Sequence, residues 1–494
     1  MREKAFFFLF VVVVCVLGAS SSILWSAGGA KVRLTIQTSS PRPFHKELYG
    51  FNTNMMHGIY AYTDRNIIDL VSVLRPTVLR FPGGTVANFY HWKQAGFNRK
   101  ELETAGSDKL NRRLTKDYEK LQSMRKGILS FDDFMALCNK FNIRPLIVLN
   151  LYTGSPGESA EWARYVRKKG YKVWGWELGN ELTIPYFRKK IRDADDYISI
   201  ARKHVEAIKA VDPGARFAVI ARPFINLNEP EREDLWNEKM ARQTFFDAFT
   251  VHPYLSLEKL MGKVRDRDIE KVRDSIFEAS DAILERVAGY KADFSNREMW
   301  VTEWNMVFRE NVEMADTLLH ALFCGDFFIK MANIDMITHA DYHVLAGPWN
   351  GFPVLSPGGN DPEKSINRAC YYSFQIIREA VSRSDKKFQL TVENNPVLSS
   401  SSRHASGPVY GISAVSVGQA NKVLILITNR TSADVPYNLV LNNKQVTGNV
   451  RYLFLTAKSL GSKGKDKEIE TREKTGKADS LVLPANSFGL IELL

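Results

Sequence analysis

The chain has 494 residues, of which 45% are hydrophobic and 25% charged. That composition excludes a disordered, collagenous or multi-span membrane protein and leaves room for one large domain with a smaller partner. Its 67 Lys+Arg against 55 Asp+Glu give a formal charge of +12, a general bias toward anionic polymers or surfaces. No zinc-finger spacing and no basic-aromatic ladder is present, so nucleic acid is not an expected partner. The histidines lack the spacing of a metal site, so neither metal nor cofactor is expected.

The N-terminus bears on the compartment. Met1-Arg2-Glu3-Lys4 is a short charged start, Ala5–Leu17 an unbroken apolar run, and Gly18–Ser22 a small-residue stretch, which together read as a secretory signal over residues 1–22. The apolar run falls short of the ~20 residues that span a bilayer. Its continuation through Ile23-Leu24-Trp25 keeps an uncleaved anchor as the alternative. The expected location is secreted or periplasmic, with membrane contact only through this segment. Cys138, Cys324 and Cys370 are odd in number and sit in apolar helical patterns, so they are expected as buried free thiols.

Lys31–Gln37 reads as a short strand, and residues 31–40 are expected to join a C-terminal sandwich. Between residues 45 and 385 short apolar runs alternate with longer amphipathic ones, the pattern of repeated βα units. The strands read as Glu47–Thr53, Val78–Phe81, Arg144–Leu151, Lys172–Leu178, Arg216–Ala221, Ala248–His252, Glu298–Thr302 and Met336–His339. Helices read as Phe131–Phe141, Ala160–Lys168, Asp195–Ala210 with Asp195 as cap, Ile269–Val287, Asp316–Met331 and Asn367–Arg383. Residues 98–127 form a long, charged, helix-prone insertion after strand two, a candidate lid. Eight such units predict an α/β fold, a (β/α)8 TIM barrel. From residue 386 to 494 alternating runs such as Val409–Val417, Lys422–Thr428, Asn438–Leu441, Val450–Leu455 and Leu481–Leu483 lie between turn-rich stretches, predicting an antiparallel β-sandwich. The densest basic run, Lys458–Lys477, is interleaved with acidic residues and reads as a solvated loop.

Barrel chemistry sits at the C-terminal ends of the strands. Strand four runs Trp174-Gly175-Trp176-Glu177-Leu178-Gly179-Asn180-Glu181, and strand seven runs Trp300-Val301-Thr302-Glu303-Trp304-Asn305. Each sets one glutamate where an apolar strand opens into a loop. Glycoside hydrolysis needs such a pair, one carboxyl to protonate the leaving oxygen and one to attack carbon or activate water.

These stretches, with Val78-Leu79-Arg80-Phe81-Pro82-Gly83-Gly84, Tyr90-His91-Trp92-Lys93, Asn150–Pro156, Tyr371–Gln375 and Leu483–Ser487, resemble the clan A glycoside hydrolases, most closely the family 51 α-L-arabinofuranosidases. The resemblance spans residues 31 to 494. It implies Glu181 as acid/base, Glu303 as nucleophile and Asn180 as a donor to the sugar 2-hydroxyl. That family places a carboxylate just after strand one, whereas Gly50-Phe51-Asn52-Thr53-Asn54 contains none; Asn54 stands there as a substrate-side or supporting residue. The wording around Glu181 is also similar to family 79 glucuronidases, and that around Glu303 to family 39 xylosidases.

Arg80 is positioned to hold Glu303 ionised, or to serve as a structural ion pair. His252 and Tyr254 follow strand six two apart, and Tyr254 can donate to Glu303. Trp92, Trp176 and Trp304 are candidate platforms for a sugar's apolar face. Glu177 is expected in a structural hydrogen-bonding role. The sequence thus reads as a secreted retaining glycoside hydrolase, first an α-L-arabinofuranosidase acting on arabinose-containing polysaccharides or oligosaccharides. A β-glycosidase of the glucuronidase or xylosidase type is the alternative within the enzymes, and a non-catalytic carbohydrate-binding protein the alternative outside them. A homo-oligomer is compatible with the sequence.

Overall fold

The computed structural model describes residues 31–494 other than 106–107, 123–127, 223–229, 258–268, 309–310, 349–351, 359–360 and 400–405. The segment expected as a signal, residues 1–22, lies outside the described residues. Among those described, no helix is long and apolar enough to cross a membrane.

Gly50–Asn52, Val78–Phe81, Arg144–Val148, Gly175–Glu177, Phe217–Ile220, Ala248–Thr250, Glu298–Val307 and Ile337–Tyr342 pair in parallel in chain order. The last pairs with the first, which closes the expected eight-stranded barrel. Its floor is filled by Val78, Leu146, Ala218, Ala248 and Trp300. Trp300 fits because position 175 is glycine: a Cβ there would stand 2.6 Å from the indole.

Strand one starts later than the pattern suggested, because Lys46–Leu48 is a 3-10 turn. Strand seven runs on to Val307, five residues past the expected end. Its register against strand eight shifts between Val301 and Trp304, a bulge that lets consecutive residues Thr302 and Glu303 both reach barrel-interior partners.

Several helices combine an apolar stripe with a side-chain cap. Phe131–Phe141 buries Phe131, Phe134, Met135, Leu137 and Cys138 behind a Ser130 cap. Ala194–Lys209 is capped by Asp193 rather than by Asp195, which instead pairs with Lys239 on the surface. Leu318–Asn333 is buried over nearly its whole circumference because it lies between the barrel and the second sheet. Cys138, Cys324 and Cys370 are buried free thiols.

The C-terminal sheet runs through Lys386–Glu393, Ile412–Gln419, Lys422–Asn429, Ser487–Leu493, Asn449–Thr456 and Glu470–Lys477, all antiparallel. Val32–Pro43 adds to it antiparallel beside Lys386–Glu393 and parallel beside Val435–Leu441, the one parallel pairing in the sheet among the described residues. One face encloses a core that includes Leu34, Ile36, Ile425, Ile427, Tyr437 and Ile491. The other supplies Val415, Val417, Leu424, Leu426 and Phe488 to the barrel's outer core. The end of the charged run, expected as loop, is an edge strand: Glu470–Lys477 pairs along its length while its side chains stay almost all exposed.

The insertion after strand two contains helices Arg99–Thr104 and Asp108–Gln122. Leu102 and Leu114 are buried in the main core, and the Tyr152 hydroxyl donates to the Ala105 carbonyl. His91 ties the first of these helices to helix Pro156–Lys169. Its Nδ1 lies 3.0 Å from Glu158 and its Nε2 2.8 Å from Glu101, a pairing that only the imidazolium satisfies, since it alone donates from both nitrogens. The hydrogen bond to Glu158 leads in raising its pKa to about 9, with burial opposing and Glu101 adding. A raised folded-state pKa contributes stability that is full below about pH 6.5 and is lost as pH rises through about 9. Amide protection factors of residues 99–104, corrected for intrinsic exchange, are therefore expected to fall between pH 7 and 9.5 in the wild type. They should be low and flat over that range in His91→Phe; a flat wild-type profile would contradict the clamp.

Candidate active site

Arg80 reaches the barrel axis from strand two, with no exposed surface, and is the hub of the site. Its Nε and Nη2 donate to Glu177 at 2.6 and 3.0 Å, Nη1 donates to Glu303 Oε1 at 2.9 Å, and Nη2 donates to Asn180 Oδ1 at 2.8 Å. A planar guanidinium can serve three partners at once, which an ammonium on a flexible stem cannot do with the same geometry. Tyr254 donates to Glu303 Oε2 at 2.6 Å, and Asn52 Nδ2 lies 3.3 Å from Oε1. Burial acts to raise the Glu303 carboxyl, but the neighbouring His252 and Arg80 and the Tyr254 hydrogen bond outweigh it and hold it below the usual carboxylate range.

Glu181 lies on the turn beyond strand four. Gly179 and Glu181 have φ of +83° and +50°, a left-handed backbone uncommon for glutamate. The turn is held by a reciprocal clamp: Asn88 Nδ2 donates to the Asn180 carbonyl at 2.7 Å, and the Asn180 amide donates to Asn88 Oδ1 at 2.9 Å. Asn88→Ala would leave two buried backbone groups unpaired. It is expected to cost about 1–3 kcal/mol in urea unfolding and to lower kcat more than KM; unchanged stability and kcat would show the clamp is dispensable.

The Glu181 side chain is one-third exposed while Glu303 is nearly buried. His252 joins them: its Nδ1 is 3.0 Å from Glu181 Oε1 and its Nε2 3.0 Å from Thr302 Oγ1. One oxygen of each glutamate and a ring nitrogen of His252 lie within 4.8 Å of one another. Thr302 donates to Glu177 Oε1 at 3.0 Å, so its oxygen is left to accept from His252. Burial acts to lower the His252 pKa, but Glu303 and the bond to Glu181 outweigh it and raise it.

This geometry can be set beside known proteins. No protein-family model matches the chain. An intracellular exo-alpha-(1->5)-L-arabinofuranosidase of Acetivibrio thermocellus is 20% identical over 280 residues, covering 51% of this chain and 51% of that protein. Alpha-L-arabinofuranosidase C of Emericella nidulans is 24% identical over 171 residues, 30% of each chain. The chain thus spans about half the length of the first relative and less of the second. Among solved structures, the α-L-arabinofuranosidase of Thermotoga maritima in complex with arabinose superposes with a TM-score of 0.72 at 16% identity, covering 94% of this chain and 99% of that one. The family 51 arabinofuranosidase of Xanthomonas axonopodis pv. citri gives 0.70 at 16% identity, covering 94% and 100%. The fold is that of the family 51 arabinofuranosidases. A family 44 endoglucanase of Clostridium thermocellum follows at 0.61 and 15% identity, covering 94% and 100%.

Within this fold, Arg80, Asn180, Glu181, His252, Tyr254 and Glu303 come together at one site. The three tryptophans do not. Trp176 is buried edge-on against Trp162 of helix Pro156–Lys169, and Trp304 stacks on Phe327 of helix Leu318–Asn333. Each is the strand neighbour of an inward glutamate and so points outward to the helices. Trp92 stacks face to face on Trp162, with ring centroids 6.0 Å apart, so that face is taken by protein. Asn54 is buried in a left-handed conformation beneath Gly84, and its Oδ1 has no hydrogen-bond partner among the described residues.

Asn52, Asn88, Thr302 and His343 belong to the site and were not picked out from the sequence. Asn52 carried a usable signal, since it shares strand one with the apolar run. Gly83 is needed beside it: a Cβ there would come within 1.8 Å of Asn52 Oδ1, and its φ is +78°.

Proposed function

We propose that this protein is a retaining glycoside hydrolase that removes α-L-arabinofuranosyl groups from polysaccharides or oligosaccharides, with Glu303 as nucleophile and Glu181 as acid/base. The observation that carries this is the closeness of the two carboxylates, within 4.8 Å at their nearer oxygens. Retaining sites hold the pair at ~5–5.5 Å, whereas inverting sites need ~6.5–9.5 Å to seat a water between them. The choice of arabinofuranose rests on the relatives and the shared fold.

In this reading Glu303, kept ionised by Arg80 and Tyr254, attacks the anomeric carbon while Glu181 protonates the departing oxygen. Glu181 then takes a proton from water, which releases the sugar from Glu303. His252 Nε2–H is committed to Thr302, so its Nδ1 faces Glu181 in both states, accepting from the carboxylic acid or donating to the carboxylate. The proton that Glu181 gives and recovers therefore has a resting place between these two groups. Asn180 Nδ2 has no partner among the described residues, which supports it as the donor to the sugar 2-hydroxyl. In the same reading residues 45–385 are the catalytic unit and 386–494 the supporting sandwich. The apolar run Ala5–Leu17 with its small-residue flank supports export by a signal segment.

Aryl glycosides of arabinofuranose, xylose, glucuronic acid and glucose test the assignment. Release is expected from the α-L-arabinofuranoside. Release only from the glucuronide would replace the sugar while keeping the chemistry. Sugar binding without any turnover would favour a carbohydrate-binding protein.

A further inference from the structure

A buried imidazole stands against Glu303 without a part in the chemistry above. His343 directly follows barrel strand eight. Its Nδ1 lies 3.1 Å from Asn52 Nδ2 and 3.7 Å from Glu303 Oε2. The Asn52 amide nitrogen only donates, so Nδ1 at this distance is the lone-pair nitrogen and the ring proton sits on Nε2. Burial pushes the His343 pKa down against the pull of Glu303, in keeping with that neutral form. The other charged or titratable groups facing the ring are Arg80, His252 and Glu181, with Tyr254 packed against it.

The Asn52 amide could present either end to the nucleophile. Its nitrogen meets two acceptors, Glu303 Oε1 at 3.3 Å and His343 Nδ1 at 3.1 Å, while its oxygen turns toward Gly83. Reversal would set an oxygen lone pair against both. The imidazole is itself held in place. Its ring packs edge-on against Tyr254 and Phe352, the His343 backbone N–H donates to the Trp304 carbonyl at 3.1 Å, and the His343 backbone carbonyl accepts from Asn305 Nδ2 at 2.6 Å. Both anchoring backbone contacts come from residues immediately after Glu303.

We propose that His343 is a positioning residue for the nucleophile: as a neutral imidazole accepting from Asn52, it fixes the amide that donates to Glu303 Oε1. The carboxylate is thereby aligned among Arg80, Asn52 and Tyr254. This rests on Glu303 being the nucleophile.

The test is steady-state kinetics on 4-nitrophenyl α-L-arabinofuranoside together with 15N NMR of the histidine ring. His343→Leu removes the acceptor and is expected to lower kcat about 10- to 100-fold with little change in KM, the loss set by one misaligned hydrogen bond to a charged group. His343→Asn sets an amide oxygen where Nδ1 stood and should recover most of that loss. His343→Gln, whose amide reaches the Nε2 position instead, should not. In an Asn52→Ala background His343→Leu should add almost nothing, since its effect passes through Asn52. Equal behaviour of the Asn and Gln variants, or losses that multiply in the double variant, would overturn the proposal. The NMR reads the ring without reference to activity: a wild-type His343 protonated on Nδ1 at neutral pH overturns the assignment even if the glycosidase reading fails, and protonation on Nε2 supports it. A wild type that hydrolyses no glycoside but shows the Nε2 tautomer would count against the functional reading alone.

Discussion

Glu303→Ala is expected to abolish hydrolysis of every glycoside the wild type cleaves, because no group remains to attack the anomeric carbon. Glu181→Ala should behave differently. An aryl glycoside whose leaving group needs no proton should still form the glycosyl-enzyme, and the defect should appear in its breakdown, where water has lost its base. Added azide needs no base. It should attack from the space left by Glu181, restore turnover and give a glycosyl azide of retained configuration. In Glu303→Ala, azide entering from the opposite side should give the inverted product. Exchange of these two outcomes, read by NMR of the azide products, would show that the roles are reversed.

Arg80→Ala should be the most damaging change outside the two glutamates. Arg80 is fully buried, and its removal leaves Glu177 and Glu303 without their shared counter-charge. Breaking a buried pair in this way costs about 3–5 kcal/mol of stability, because an uncompensated charge stays behind. The pKa consequence has a definite sign. Loss of one of the charges that hold Glu303 below the usual carboxylate range moves its carboxyl upward, so activity should fail at a higher pH on the acid side than in the wild type. A fall in kcat/KM of about 1,000-fold or more follows if the developing charge also loses its alignment. Arg80→Lys should regain part of the stability but little of the rate, since an ammonium cannot bridge Glu177, Glu303 and Asn180 together. Urea unfolding and a pH–rate profile decide it: near-normal values for Arg80→Ala in both would show that Arg80 does not support Glu303.

Much of this was readable from the chain, for reasons that can be named. The eight strands are short apolar runs bounded by caps and turns, and such runs need no long-range information to be seen. Glu181 and Glu303 stood out because each follows a short apolar run, although strand seven itself continues past Glu303 to Val307. The same alternation that turns Glu177 and Glu303 inward sends Trp176 and Trp304 outward, so the tryptophans were misplaced although the signal was present. The bulge at Thr302–Glu303 was not readable, since it appears only in the register against strand eight. Asn52 and His343 meet only because the barrel closes strand one on strand eight, and Asn88 finds Asn180 across 92 residues; no local pattern reports such pairs. The strand Glu470–Lys477 escaped because an edge strand exposed on both faces carries no alternation.

The stereochemistry of the first product tests double displacement by Glu303 and Glu181 most directly. Proton NMR of wild-type enzyme acting on an aryl α-L-arabinofuranoside, recorded before mutarotation, should show α-L-arabinofuranose appearing first and the β-anomer only later. First appearance of the β-anomer would mean that water attacks directly, and it would contradict the assignment of Glu303 as nucleophile.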